Sequence, residues 1–308
     1  MRARFRSPTI PREFTRSVDG MTEDPFVTHR GLLFTVAYEM LGSAADAEDV
    51  LQESWLRWAD VDQSRVSDAR AYLIRVVTRQ ALNQMRTLSR RREEYVGEWL
   101  PEPLLTSPDV AEDVELAESV SIAMLTVLET LAPTERAVFV LHQVFEMPYG
   151  EIAAAVGKSP AAVRQIALRA REHVAVRRPR VQVSRSEQQA VVERFLAALR
   201  TGKLQDLMDV MAPDVVLIAD GGGIAAAARV PIHGAGAVAN LLARAHRVLA
   251  AFETTPVWLN GAPAVRVQID GQVAAVSVVV ENGRVTRIYA VANPQKLTRL
   301  DEPAELLR

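Results

Sequence analysis

Apolar residues recur at intervals of three and four between residues 22 and 178, with no hairpin signal among them, which predicts helices throughout this half. After residue 183 one or two more helical stretches give way to period-two alternation, so the fold class changes there. In SAADAEDVLQESWLRW, Ser43 followed by Asp46 is a capping-box-like helix start, favoured also by the dipole. At about 100° per residue, Ala47, Val50, Leu51, Trp55 and Trp58 share the core face, and Asp46, Asp49 and Glu53 form an acidic stripe opposite. The next long helix, residues 68–88, buries Leu73, Ile74, Val77, Ala81 and Met85. Residues 93–113 carry Pro101, Pro103 and Pro108 among acids, which predicts an extended linker between two small helical domains.

The segment MPYGEIAAAVGKSPAAVRQIALRAREHV has helix-turn-helix grammar: a short apolar helix, Gly157 at the turn, Ser159 as N-cap and Pro160 at the first position of a basic helix. Val163, Ile166, Ala167 and Ala170 point inward. Downstream, AVVERFLAALRTG, a short helix ending before Pro213, the strand DVVLIAD and the helix GAGAVANLLARAHRVL precede hairpins. Val265, Val267 and Ile269 alternate with Arg266, Gln268 and Asp270, and Asp270-Gly271 and Asn282-Gly283 are two-residue turn signals between the last three strands. A curved antiparallel sheet against helices follows. Gly221, Gly222 and Gly223 lack the Lys-Ser/Thr of a phosphate loop and read as backbone with unusual dihedrals.

With 308 residues the chain holds two or three domains. It has no cysteine, which excludes disulfides, thiolate metal sites and cysteine nucleophiles and fits a reducing compartment, the cytoplasm by default. No run of about 18 apolar residues predicts a membrane span, and residues 1–21 lack a signal-peptide core and read as a disordered tail, with Met21 an alternative start. The formal net charge is only -2, yet charge is segregated: eight arginines against one acid over 65–92, seven basic residues against one acid over 158–180, and nine acids without a base over 93–118.

That segregation gives the helices their chemistry. Tyr72, Arg75, Arg79, Asn83 and Arg86 crowd one exposed arc, combining phosphate-binding charge, an amide for a base edge and a stacking ring, a surface suited to unpaired DNA. A solubilising basic face is the plainer alternative, but it would mix its charges. In the second module Gln165 and Arg169 lie one turn apart, able to read adenine and guanine in the major groove, with Arg164 and Arg171 flanking them for phosphate. A helical hairpin packing on a partner needs no such basic face. A free-standing repressor could use this helix-turn-helix, but not the rest of the chain.

DAEDVLQESWLRW (46–58) and RQALNQMR (79–86) resemble region 2 of the extracytoplasmic-function (ECF) RNA polymerase sigma factors, and residues 121–171, including LAPTERAVFVLHQVFEMPYGEIA, resemble their region 4. The resemblance implies that Asp46, Asp49, Gln52 and Glu53 dock on core RNA polymerase, that Tyr72, Arg75, Arg79, Asn83 and Arg86 hold the melted minus-10 strand, and that Lys158, Ser159, Arg164, Gln165, Arg169 and Arg171 bind the minus-35 element of promoter DNA. Residues 60–67 carry no diagnostic base-capturing residue, and Ala162 and Ile166 stand where the family often has a hydroxyl or basic residue. The acidic linker could lie in a basic polymerase channel, as nascent RNA does.

The element order over residues 184–294 resembles SnoaL-like α+β cone domains. Trp99, Leu100 and Pro101 in WLPEP, Asp220, Gly221, Gly222 and Gly223 in DGGG, and Asn293, Pro294, Lys296 and Leu297 in NPQKL look like the signatures of the SigJ-type group of ECF sigma factors; Ile224 and Gln295 depart from its usual lysine and aspartate. The group implies regulation in cis, the extension gripping the linker near Trp99 and needing no separate anti-sigma factor. The expected architecture is multidomain: a disordered tail (1–21), two all-α sigma domains, namely a region 2 helical bundle (22–92) and, after an acidic linker (93–120), a region 4 helix-turn-helix (121–180), then the α+β cone with its curved antiparallel sheet (184–294) and a tail (295–308). No cofactor, metal, membrane or bond chemistry is expected. The runner-up is a pocket in the cone that takes a small hydrophobic ligand or works as an enzyme, with Asp220, His233, His246 or Tyr289 as acid-base candidates.

Overall fold

The computed structural model describes residues 24–178, 183–248, 252–269 and 271–308, with backbone alone at 89–92, 246–248, 252 and 269. The expected tail over 1–21, Asp270 of one turn and the His246 side chain lie outside the described residues.

The bundle expected to be region 2 is built from α1 (Pro25–Thr28), α2 (Arg30–Leu41), α3 (Ala44–Ala59) and α4 (Ala69–Glu93). Ser43 starts α3 as its spacing predicts, Oγ accepting from the Asp46 amide at 3.2 Å. Trp58 is buried and donates Nε1 to Asp24 at 3.0 Å, but Trp55 is 38% exposed, against the expectation that both fill the core. The apolar arc of α3 is wider than the groove between α2 and α4, so Trp55 falls at its edge, covered edge-on by Phe26 at 5.2 Å. Met85 and Ile166 are likewise half-buried rather than core.

The linker leaves α4 as irregular backbone and passes a 3-10 turn (Pro108–Glu112). Beyond the last proline Asp113 caps a helix, accepting from the Leu116 amide at 3.0 Å, so α5 (Val114–Ser119) forms at the linker's end. Then come α6 (Ile122–Leu128), α7 (Pro133–Gln143), α8 (Tyr149–Val156) and α9 (Pro160–Arg177). Gly157 at φ 69° ends α8 in the left-handed conformation, and Ser159 Oγ accepts from the Ala162 amide at 3.2 Å to start α9.

The last part comprises α10 (Arg185–Thr201), α11 (Leu204–Val210), β1 (Met211–Asp220), β2 (Ile232–His233), α12 (Ala235–Val248), β3 (Phe252–Leu259), β4 (Ala262–Ile269), β5 (Gln272–Glu281) and β6 (Arg284–Val291). The sheet order is β2-β1-β6-β5-β4-β3, antiparallel except for the parallel β1–β6 pair, with a register shift between Val279 and Val280. This is the α+β cone. One sheet face, with Val265, Val267, Val276, Val278 and Ile288, packs on α10 and α12 around Phe195 and Val238. The near-continuous valines of β5 are explained by the other face, where Val279, Tyr289 and Val291 pack on Leu100 of the linker and Ile122 of α6.

Regions 2 and 4 share one apolar core, running from Phe26 on α1 through Leu73 on α4 and Leu141 on α7 to Val174 on α9. Among the described residues no helix is long and apolar enough to cross a membrane.

Candidate nucleic-acid interface and its interdomain joint

On α9 the residues expected to face DNA stand clear of the core: Lys158, Ser159, Arg164, Gln165, Arg169 and Arg171 are exposed, while Val163, Ala167 and Ala170 are buried beneath them. That face of α9 is open to solvent.

The basic arc of α4 is placed differently. Tyr72 is half-buried against Trp58 at 5.7 Å, and the Arg75 guanidinium lies 5.1 Å over its ring. Arg86 donates to Asn83 Oδ1 at 3.1 Å on the exposed side. Arg79 reaches across to region 4, donating Nη2 to the Ala154 carbonyl at 2.9 Å and Nε to the Ala155 carbonyl at 3.4 Å. These belong to the last turn of α8, where a cation is favoured by unpaired carbonyls and the helix dipole. A side chain suited to a DNA strand is thus turned onto protein.

On α3, Asp49, Gln52 and Glu53 are exposed and Asp46 half-buried. Asp46 accepts from Gln84 at 2.9 Å and Glu53 from Gln80, so α4 steadies the acidic stripe from behind. Burial, and then its neighbours Asp46 and Glu53, push the Asp49 carboxyl above its ordinary value.

The three motifs at Trp99, Asp220 and Asn293 meet in one joint. Asp220, wholly buried at the end of β1, ion-pairs with Lys296 Nζ at 2.7 Å and accepts from the Leu100 amide at 2.9 Å, the Gly222 amide at 3.0 Å and the Tyr95 hydroxyl at 2.5 Å. Lys296 also donates to the Leu100 carbonyl at 2.6 Å, and its ammonium stands 3.2 Å from the centroid of the Trp99 ring. The Asp220 carbonyl accepts from the Ala292 and Asn293 amides at 2.8 and 3.0 Å, and Asn293 Nδ2 donates to the Tyr95 hydroxyl at 2.8 Å. Pro294 opens the 3-10 turn that carries Lys296, and Leu297 packs beside Leu100 and Tyr289. Gly222 and Gly223 have φ of 59° and 69°, as the glycine run predicts; a Cβ on Gly222 would stand 2.6 Å from Asn293 Cγ, and one on Gly221 2.8 Å from Ala227 Cβ.

From this joint the linker turns into region 2. Pro101 lies against Gly42, and the Glu102 carboxylate caps α3, accepting from the Ala44 amide at 2.7 Å and Ser43 Oγ at 3.2 Å. Glu102 and Tyr95 were not singled out in the sequence, although both sit in or beside WLPEP. Of the acid-base candidates with described side chains, Asp220 is paired with Lys296, His233 is exposed, and Tyr289 is buried in the apolar contact with Leu100.

Residues 26–91 match the family model for Sigma-70 region 2, and residues 121–174 that for Sigma-70, region 4. A relative, the ECF RNA polymerase sigma factor SigJ of Mycobacterium tuberculosis, is 34% identical over 299 residues, covering 90% of this chain and 94% of its own. The chain belongs to the ECF RNA polymerase sigma factors. The probable ECF sigma factor SigI of the same organism is 32% identical over 276 residues, covering 88% of this chain and 93% of its own. The crystal structure of SigJ superposes with a TM-score of 0.74 at 33% identity, covering 90% of this chain and 98% of that one. As a sigma factor the chain binds core RNA polymerase and recognises promoters through regions 2 and 4.

Proposed function

We propose that this ECF sigma factor is regulated in cis: its C-terminal cone grips the linker and keeps regions 2 and 4 in a closed arrangement that withholds the minus-10 surface. The observation that carries the reading is Arg79. It caps α8 of region 4 while Asp220 and Lys296 clasp Leu100, so region 4 is held on region 2 and the linker that would let it swing away is held on the cone.

In the open form, Tyr72, Arg75, Arg79, Asn83 and Arg86 hold the melted minus-10 strand, and Lys158, Ser159, Arg164, Gln165, Arg169 and Arg171 bind the minus-35 element. Asp46, Asp49, Gln52 and Glu53 dock on the polymerase. Three of the nine linker acids are ion-paired in the closed form, Asp113 and Glu115 with Arg308 and Glu118 with Arg178, so opening would also free negative charge for a basic channel of the enzyme. The cone does the work of an anti-sigma factor, and the setting is the cytoplasm.

Run-off transcription with core polymerase tests this. Lys296→Met in the full chain is expected to raise transcript yield at limiting sigma factor at least threefold. Equal yield from variant and parent, with both folded, would show that the grip on the linker does not restrain the sigma domains.

A further inference from the structure

Tips of two-residue hairpins ordinarily end in solvent, and one of the cone's tips does so. Asn282 and Gly283, joining β5 to β6, have φ of 52° and 68°, and Asn282 is exposed. Asn260 and Gly261, joining β3 to β4, have φ of 52° and 72°, the same primed turn, yet Asn260 is 1% exposed.

What buries this second tip is the rest of the chain. Asn260 Oδ1 accepts from the Leu104 amide at 2.9 Å, and its backbone amide donates to the Leu104 carbonyl at 2.9 Å. Its Nδ2 donates to the Tyr38 hydroxyl on α2 at 2.7 Å and to the Val120 carbonyl, between α5 and α6, at 2.8 Å. One carboxamide therefore joins region 2 to the linker at two places, Leu104 and Val120, the second one residue before region 4 begins, with both N–H donors used. The Gly261 amide donates to Thr106 Oγ1 at 3.1 Å, and a Cβ there would stand 2.8 Å from Ala117 Cβ and 2.9 Å from its Cα on α5. The position takes only glycine on two independent grounds, the positive φ and the approach of α5.

We infer that the β3–β4 tip is a bolt: inserted between α2 and the linker with its terminal helix α5, it locks the linker's end, and through it the region 4 that follows, against region 2, while the Asp220–Lys296 joint holds the linker's start. The inference rests on the proposed restraint in cis and divides it into two separable contacts. Withdrawal of the bolt frees region 4 with the cone still attached to the linker, so the factor opens without losing its regulator. Tyr38 is the far side of the lock. Its hydroxyl donates to the Glu102 carbonyl at 2.7 Å while accepting from Asn260, and both bonds end when the tip and linker leave region 2.

The chain has no cysteine, so Arg57→Cys on α3 and Ala175→Cys on α9, both exposed, place a dye pair on regions 2 and 4 of the full chain. Gly261→Ala is compared with Gly283→Ala, which meets the same backbone strain but only an ordinary contact with Glu187 Oε1 at 3.8 Å. Gly261→Ala is expected to raise the open fraction about tenfold, because its methyl meets Ala117 of α5, as is Asn260→Ala, which leaves buried polar groups unpaired; Gly283→Ala leaves energy transfer unchanged. Equal transfer in folded Gly261→Ala and Gly283→Ala overturns the bolt. Should Gly261→Ala not fold, Tyr38→Phe removes only the hydroxyl, and unchanged transfer there overturns it equally. If Lys296→Met opens the chain and Gly261→Ala does not, the bolt fails and restraint in cis stands; if neither opens it, both fail.

Discussion

Lys296→Met removes one side of the buried ion pair that fastens the linker to the cone, and its consequence can be sized. Lys296 is 7% exposed and its partner Asp220 fully buried, so the pair is shielded from solvent and salt. Breaking a buried pair from one side costs about 3 to 5 kcal/mol, because the remaining charge is stranded. Here Asp220 keeps three donors, from Tyr95, Leu100 and Gly222, which argues for the lower end of that range. The Leu100 carbonyl loses its ammonium and the Trp99 ring its cation, which together add about 1 kcal/mol to the cost, about as much as a methionine sulfur recovers on an aromatic ring. Methionine fills the volume and still packs on Trp99. The expected destabilisation is about 3 kcal/mol, and at about 1.4 kcal/mol per decade that is roughly a hundredfold shift from gripped to released linker. Urea unfolding of the full chain measures the first quantity, and fluorescence of Trp99 against a Trp99→Phe control reports the second. Adding Asp220→Asn should recover at least 1 kcal/mol, since no charge is then stranded. A single-variant loss below about 0.5 kcal/mol, the range of ordinary surface changes, would refute the joint as the fastening.

Three further outcomes follow from the same geometry. Arg169→Ala and Gln165→Ala on the exposed face of α9 should each remove about 1 to 3 kcal/mol of discrimination at one base pair of the minus-35 element, whereas Arg164→Ala should weaken all sequences alike and lower the salt slope by about 1; binding titrations at several salt concentrations separate the two. Burial pushes the Glu39 carboxyl up to about 8, against the Ser119 hydroxyl and the Arg136 charge, in a junction of α2 with α5 and α7 that also holds Glu129 and Tyr38. An opened chain returns Glu39 to water and its ordinary value, so the closed form binds the proton more tightly: its advantage is whole below the carboxylate range and is lost as pH rises toward 8. The open fraction should therefore climb between pH 6 and 8 by about tenfold or less per unit, and a flat profile in the dye-pair assay, or a slope surviving in Glu39→Gln, would refute the linkage. Gly157→Ala, at φ 69° with nothing within 4 Å, should cost only the left-handed penalty of about 1 to 2 kcal/mol, while Gly222→Ala adds a clash with Asn293 and should cost more in thermal unfolding.

The helical half of this chain was legible because its signals are local. Ser43, Gly157, Ser159 and Pro160 fix helix ends through bonds within four residues, and the apolar spacing that buries Leu73 or Val163 is decided before any domain meets another. Trp55 marks where that reasoning stops: a helical wheel gives the direction of a side chain but not the width of the groove it meets. The joint was legible for a different reason, the three short motifs that carry the family resemblance, and even there Tyr95 and Glu102 went unread because nothing in their own neighbourhoods distinguishes a buried tyrosine or carboxylate from an exposed one. The bolt is the clearest case. Asn260-Gly261 and Asn282-Gly283 are the same dipeptide in the same turn, so no local rule separates them; the difference lies in Ala117, Tyr38 and Thr106, between 144 and 222 positions away. Burial of a hairpin tip is a property of the assembled domains. A sequence can announce the turn, but only the packing of three modules decides that this turn closes on something.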